Sequence, residues 1–193
     1  MSYTQINWKN GYEQFELVRY ETPSDGHCLF HALCQSFFIP YQTGALNNKP
    51  ISKLQIIENL RAELAHKLRE PIKLNGPRYY DLLQNGHINE FSKHVPEFSL
   101  PFMQHELNSN HCIGYGYIEY IADQLNKDIY ILDGSKQDVY KSDETPLVIK
   151  NRNSIVLYYE DHHYELVGIK HDDHYDTHLL PSHPLIQFLR TRC

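Results

Sequence analysis

A chain of 193 residues, 41% hydrophobic and 22% charged, is long enough for one domain with a substantial core and has an ordinary globular composition. Its 18 Lys and Arg against 24 Asp and Glu give a net charge of −6 with no basic cluster, which argues against a nucleic-acid partner, since phosphate binding needs a cationic face. No run is apolar enough to cross a bilayer, and the start, Met-Ser-Tyr-Thr-Gln-Ile-Asn-Trp, lacks the features of a secretory signal, so no membrane role is expected and a cytoplasmic location is (host-cell cytoplasm for a viral protein or bacterial effector).

Residues 1–19 mix aromatic and polar side chains and are expected to pack on the domain as an extension. Residues 21–26, Glu-Thr-Pro-Ser-Asp-Gly, form a turn-rich stretch that stops regular structure. The apolar run 29–38 reads as a buried helix ended by Pro40. The clearest helix spans 51–70: Ser52 and Gln55 fit a capping box, Leu54, Ile57, Leu60, Leu64 and Leu68 recur at helical spacing, and Pro71 ends it. Shorter helices are predicted at 79–83 and 88–94, and another at 117–126 with Ile118, Ile121, Ala122 and Leu125 on one side.

Beyond Asn126 the period changes. Residues 128–133 read as a strand bounded by Asp133-Gly134, 147–150 as a short candidate, 154–159 as a strong one, and 163–169 as the next after a tight connection. Helices first and strands last predict an α+β domain whose central, partly antiparallel sheet packs between helices. The segment 170–193, rich in His and Pro, is expected to be an appendage to a domain at 20–169.

Chemistry concentrates at Asp25-Gly26-His27-Cys28. The helix begins at Cys28, and a helix amino terminus offers unpaired N–H groups and a partial positive charge that favour a thiolate. Gly26 lets the backbone approach a substrate carbonyl, so the N–H groups of His27 and Cys28 are candidate oxyanion donors. The alternative is that Cys28 merely caps a core helix. Of the thirteen histidines, His163 is the best base: it opens a strand after a predicted turn at 160–162, and Glu165 two residues on shares its strand face. His162 has only Tyr164 at that spacing. Cys34 and Cys112 read as small buried hydrophobes, Cys193 as an incidental exposed thiol, and no CxxC pair suggests structural zinc.

Asp25-Gly26-x-Cys28-Leu29-Phe30 resembles the nucleophile motif of the ovarian-tumour (OTU) family of cysteine proteases, and His163-Tyr164-Glu165 resembles its histidine motif. Gly114-Tyr115-Gly116-Tyr117-Ile118-Glu119-Tyr120-Ile121-Ala122 followed by Ile129-Tyr130-Ile131 is similar to the family's middle segment. Three motifs in the right order cover about residues 20–169. Departures are His27 where Asn is commoner, His31 where Arg or Tyr often stands, Tyr115 for a usual Trp, and Glu165 for Asp or Asn.

The resemblance implies a papain-like OTU domain that hydrolyses isopeptide bonds after the carboxyl-terminal glycine of ubiquitin, or of a ubiquitin-like modifier. Cys28 would attack, His163 would shuttle the proton, Glu165 would orient His163, and Asp25 would shape the loop with Gly26 and His27. Tyr115, Gly116, Tyr117 and His162 are candidate substrate contacts. Ubiquitin or polyubiquitin is the implied partner, with acidic groups facing its basic tail, and neither metal nor organic cofactor is required. A ubiquitin-binding module of weak activity and a viral polyprotein-processing protease are the alternatives. His171 and His174, with His178 and His183 beyond, read as a solvated tail because no further ligand cluster completes a metal site.

Overall fold

A computed structural model of the chain describes residues 2–71, 74, 76–78, 80–81, 99–141 and 149–193. The helix predicted at 88–94 lies outside the described residues, as do three of the five residues of that predicted at 79–83 and half of the strand predicted at 147–150, whose described residues Ile149 and Lys150 are not in a strand. The strands are β1 (Tyr3–Ile6), β2 (Leu17–Tyr20), β3 (Ala45–Leu46), β4 (Lys49–Pro50), β5 (Asp128–Asp133), β6 (Asp138–Val139), β7 (Ser154–Glu160), β8 (His163–His171) and β9 (His174–Asp176). The helices are α1 (Cys28–Phe37), α2 (Ile39–Thr43), α3 (Lys53–Lys67), α4 (Leu100–Asn108), α5 (Ile118–Leu125) and α6 (Pro184–Arg192), with short 3-10 turns at Tyr12–Gln14 and Tyr115–Tyr117.

One sheet organises the chain, in the order β1-β2-β8-β7-β5-β6, with β9 also paired to β8. Only β5 and β7 run parallel; the other pairings in this sheet are antiparallel. The sheet is mixed, as the order of predicted elements required. β7 and β8 are joined by a two-residue hairpin at Asp161 and His162, both with positive φ (49° and 62°), which suits the right-handed twist of the flanking strands.

Alternation along the strands divides the core in two. Ile129, Ile131, Ile155, Leu157, Tyr164 and Leu166 face α1, α3, α4 and α5, where Leu29, Phe30, Leu33, Ile57, Leu64, Met103 and Ile121 are buried. Tyr130, Leu132, Val156, Tyr158, Val167 and Ile169 face the other way, against Trp8, Tyr12 and the α6 residues Leu185, Ile186 and Leu189. Both faces are covered. The segment 170–193 is therefore no appendage: β9 extends the sheet and α6 closes its second face. Cys193 packs there too, half-buried, with burial pushing its thiol up to about 11.

The helices start where capping chemistry allows. Ser52 accepts the N–H of Gln55 at 3.1 Å to open α3, and Ser99 accepts that of Phe102 to open α4. Leu54, read from spacing as part of the apolar stripe, is exposed. Arg61, four residues after Ile57 and three before Leu64, is buried instead. No helix among the described residues is long and apolar enough to cross a membrane.

Candidate active site

Four pieces of chain converge: the exit of β2, the 23–27 loop with the start of α1, the end of α4 with residues 109–112, and the start of β8. The loop is built around Asp25. One of its oxygens accepts the N–H of His27 at 2.9 Å, a side-chain-closed turn that reverses the chain. Its other oxygen meets Nε2 of His31, one helical turn inside α1, at 2.9 Å, and Nδ1 of His31 meets the Tyr41 hydroxyl at 2.5 Å. With the Asp25 carboxylate accepting only, His31 donates to it from Nε2. Burial works against the charge on Asp25, but the bonds from His31 and the His27 N–H outweigh it and hold the carboxyl below its usual range.

Gly26 is required twice over. Its φ is +83°, and a Cβ there would lie 2.0 Å from the carbonyl oxygen of Asn110. The same close approach is fastened by Arg61, which is 2% exposed. Its guanidinium donates to Leu107 O (2.8 Å), Glu106 O (3.1 Å), His111 O (3.1 Å) and Gly26 O (3.4 Å), and meets Nδ1 of His27 at 3.2 Å. Two of those carbonyls belong to the last turn of α4, where intrahelical donors run out. One buried cation thus binds a helix end, the following loop and the nucleophile loop together. Burial draws Arg61 down to about 10, still protonated at neutral pH.

Cys28 opens α1 and is 1% exposed. Burial raises its thiol above the ordinary value, the N–H groups of Tyr164 and Leu29 work in the opposite sense, and Cys112 beside it adds to the rise. The helix terminus does not make a resting thiolate here; burial wins. The bond from Tyr164 places the sulfur against the amide that follows His163. The two motifs, more than a hundred residues apart in sequence, meet at the rim of the sheet.

The ring of His163 is fixed by Thr22. Thr22 Oγ1 lies 2.6 Å from the carbonyl oxygen of Tyr164 and 3.1 Å from Nε2 of His163. A hydroxyl has one hydrogen, and the carbonyl can only accept, so that hydrogen goes to Tyr164. Thr22 must then accept from His163, which puts the imidazole proton on Nε2 and leaves the lone pair on Nδ1. The register explains the arrangement: Tyr20 of β2 pairs with Leu166 of β8, and two further residues bring Thr22 opposite Tyr164.

Glu165 does not make the ring contact expected of it. Its carboxylate, buried, lies 3.3 Å from Nη1 of Arg19, whose guanidinium also sits over the ring of Tyr158. Burial raises the Glu165 carboxyl, while the charges of Arg19 and His163 draw it back. The hydrogen-bond partner of the His163 ring is Thr22 and not Glu165.

The other expected site residues separate. The His27 N–H is taken by Asp25 and is not a free oxyanion donor, whereas the Cys28 N–H, first in its helix, has no intrahelical acceptor. Gly116 and Tyr117 are buried, with the Tyr117 hydroxyl donating to Glu106, a contact that ties this turn to α4. Tyr115 is half-buried against Tyr140, with ring centroids 4.3 Å apart. His162 is exposed on the β7–β8 turn beside the Tyr159 hydroxyl at 3.3 Å. Cys34 is buried as expected, its thiol pushed up to about 12, but Cys112 is exposed and borders Cys28.

Sequence reasoning missed Thr22, Arg61 and Cys112. Arg61 had a signal, a charged residue inside the apolar stripe of a helix. Thr22 had none, because its role depends on a strand pairing across 141 residues.

No protein-family model and no curated protein matches the chain. Among solved structures it resembles an ovarian tumour (OTU) domain in complex with ubiquitin, with a TM-score of 0.57 and 19% identity over 95% of this chain and 86% of that one. It is also similar to the OTUD1 OTU domain (TM-score 0.47, 18% identity, 78% of this chain and 85% of that one). The Hazara virus OTU bound to ubiquitin gives a TM-score of 0.46 at 16% identity over 88% of this chain and 89% of that one. The mixed sheet, the helices on its two faces and the first of these likenesses agree: this chain has the fold of an OTU domain.

Proposed function

We propose that the chain is a cysteine-dependent isopeptidase that cleaves ubiquitin from its conjugates. The observation that carries this reading is the placement of the Cys28 sulfur on the amide next to His163, whose tautomer Thr22 sets with the lone pair on Nδ1. The solved OTU domain whose fold it shares was captured with ubiquitin, which supports the same partner.

Because burial keeps the thiol protonated at rest, His163 acts as a true general base at the moment of attack. Nδ1 takes the thiol proton as sulfur adds to the carbonyl of the terminal glycine. The Cys28 N–H, at the positive end of α1, stabilises the oxyanion. Collapse expels the lysine amine, which receives the proton from His163, and leaves a thioester. Water, deprotonated by the same ring, hydrolyses it and frees the thiol. Thr22 keeps Nε2 protonated throughout, and Glu165 stabilises the imidazolium from a distance. Asp25, His31 and Arg61 hold the loop in shape.

Ubiquitin carrying a carboxyl-terminal electrophile tests this directly. A covalent adduct that disappears in Cys28→Ala is the expected result. Tight ubiquitin binding with no adduct would instead favour a binding module, the reading to which the raised Cys28 thiol gives some weight.

A further inference from the structure

The far end of β8 carries a second cluster. β8 ends at His171 and β9 returns from His174 after a two-residue turn, with Asp172 at φ 51°. His171 is directly opposite His174, and Ile169 opposite Asp176. Directly opposed residues of an antiparallel pair share a face, and so do residues two apart on one strand. His171, His174 and Asp176 therefore project to one side by register alone. His171 Nδ1 lies 3.1 Å from one carboxylate oxygen of Asp176, and His174 Nε2 lies 3.1 Å from the other. The two rings are 5.3 Å apart, and one ligand atom from each of the three residues lies within 4.8 Å of the others.

We propose that this hairpin binds one divalent transition-metal ion of the zinc type through His171, His174 and Asp176. Two imidazoles and a carboxylate form a donor set that borderline divalent cations prefer, with bonds of about 2.0–2.2 Å. Tetrahedral bonds of that length put ligand atoms roughly 3.3 Å apart. The present cluster reaches that spacing by small side-chain rotations, which exposure on a two-stranded tip allows. Each ring that now donates to Asp176 moves its hydrogen to the other nitrogen and turns the freed lone pair to the ion. His183, which feels the charges of Asp176 and His171, is not a fourth ligand: its Nδ1 accepts the N–H of Leu185 at 3.2 Å to open α6. Water takes the fourth position. The ion would tie β9 to β8 and so fasten the segment leading into α6.

The chain carrying Cys28→Ala and Cys112→Ser, which removes the thiols of the candidate active site, is titrated with zinc against a chromogenic chelator. One equivalent is expected, together with a rise in melting temperature. His174→Ala should abolish both, and Asp176→Asn should weaken binding about tenfold or more, as losses around metal sites do. Circular dichroism of the metal-free variants checks that they fold, and both positions are at or near the surface. Failure to bind zinc, or undiminished binding in both His174→Ala and Asp176→Asn, overturns the site. Neither result bears on the isopeptidase, whose nucleophile is absent from the test.

Discussion

Strand β8 holds a histidine at each end, and the two are set by different kinds of partner. His163 is half-buried and its ring donates to the neutral hydroxyl of Thr22. His171 is exposed and its ring meets the carboxylate of Asp176. A hydroxyl fixes a tautomer without bringing a full charge beside the ring, whereas a carboxylate does both. The first arrangement suits a group that gains and loses a proton in every cycle. The second suits one that neighbours a lasting positive charge.

Substitutions on either side of His163 separate these two arrangements. His163→Ala should lower kcat by about 10²–10⁴-fold, measured as release of a fluorophore from the carboxyl terminus of ubiquitin. Equal turnover in that variant would place the base elsewhere. Thr22→Val should cost about ten- to hundredfold in kcat with little change in KM, while Thr22→Ser restores the rate; loss of one hydrogen bond to a charged ring is worth about 1.5–3 kcal/mol. Glu165→Gln, which keeps the size and removes the charge, should cost only a few-fold. If the two losses were reversed, the ring would be held by the carboxylate.

A smaller effect concerns the thiol. In a Cys112→Ser background, alkylation of Cys28 should accelerate as pH rises, with an apparent pKa above the ordinary thiol value of about 8.5. The raised pKa means less thiolate at neutral pH than a free cysteine would have. A rate already at its plateau near pH 5 would reveal a preformed ion pair instead. Last, His171→Asn should leave ubiquitin turnover unchanged within error, since this ring sits at the opposite end of the strand.

Much of the site was legible because its elements are local. Asp25-Gly26 before Cys28 announces a tight loop entering a helix, and the strand-opening position of His163 follows from the turn at Asp161 and His162. The partners that tune these groups were not legible. Thr22 reaches Tyr164 only because β2 pairs with β8, and Arg61 reaches Gly26 only because α3 lies beside α4. The His27 N–H was misassigned for a similar reason: the Asp25 side chain, and not its backbone setting, decides where that hydrogen points. In the last segment, the spacing of Leu185, Ile186 and Leu189 marked an amphipathic helix, but the histidines and prolines ahead of it dominated the reading.

α6 has a consequence for anyone shortening the chain. Its three buried apolar residues lie over Val156, Val167 and Ile169, which would otherwise meet water. A version ending after Ile169 would keep Cys28, Thr22 and His163 and still lose one wall of its interior. Such a truncated protein should self-associate on size-exclusion chromatography and melt earlier, so an inactive fragment of this kind would say nothing about the chemistry of the cysteine.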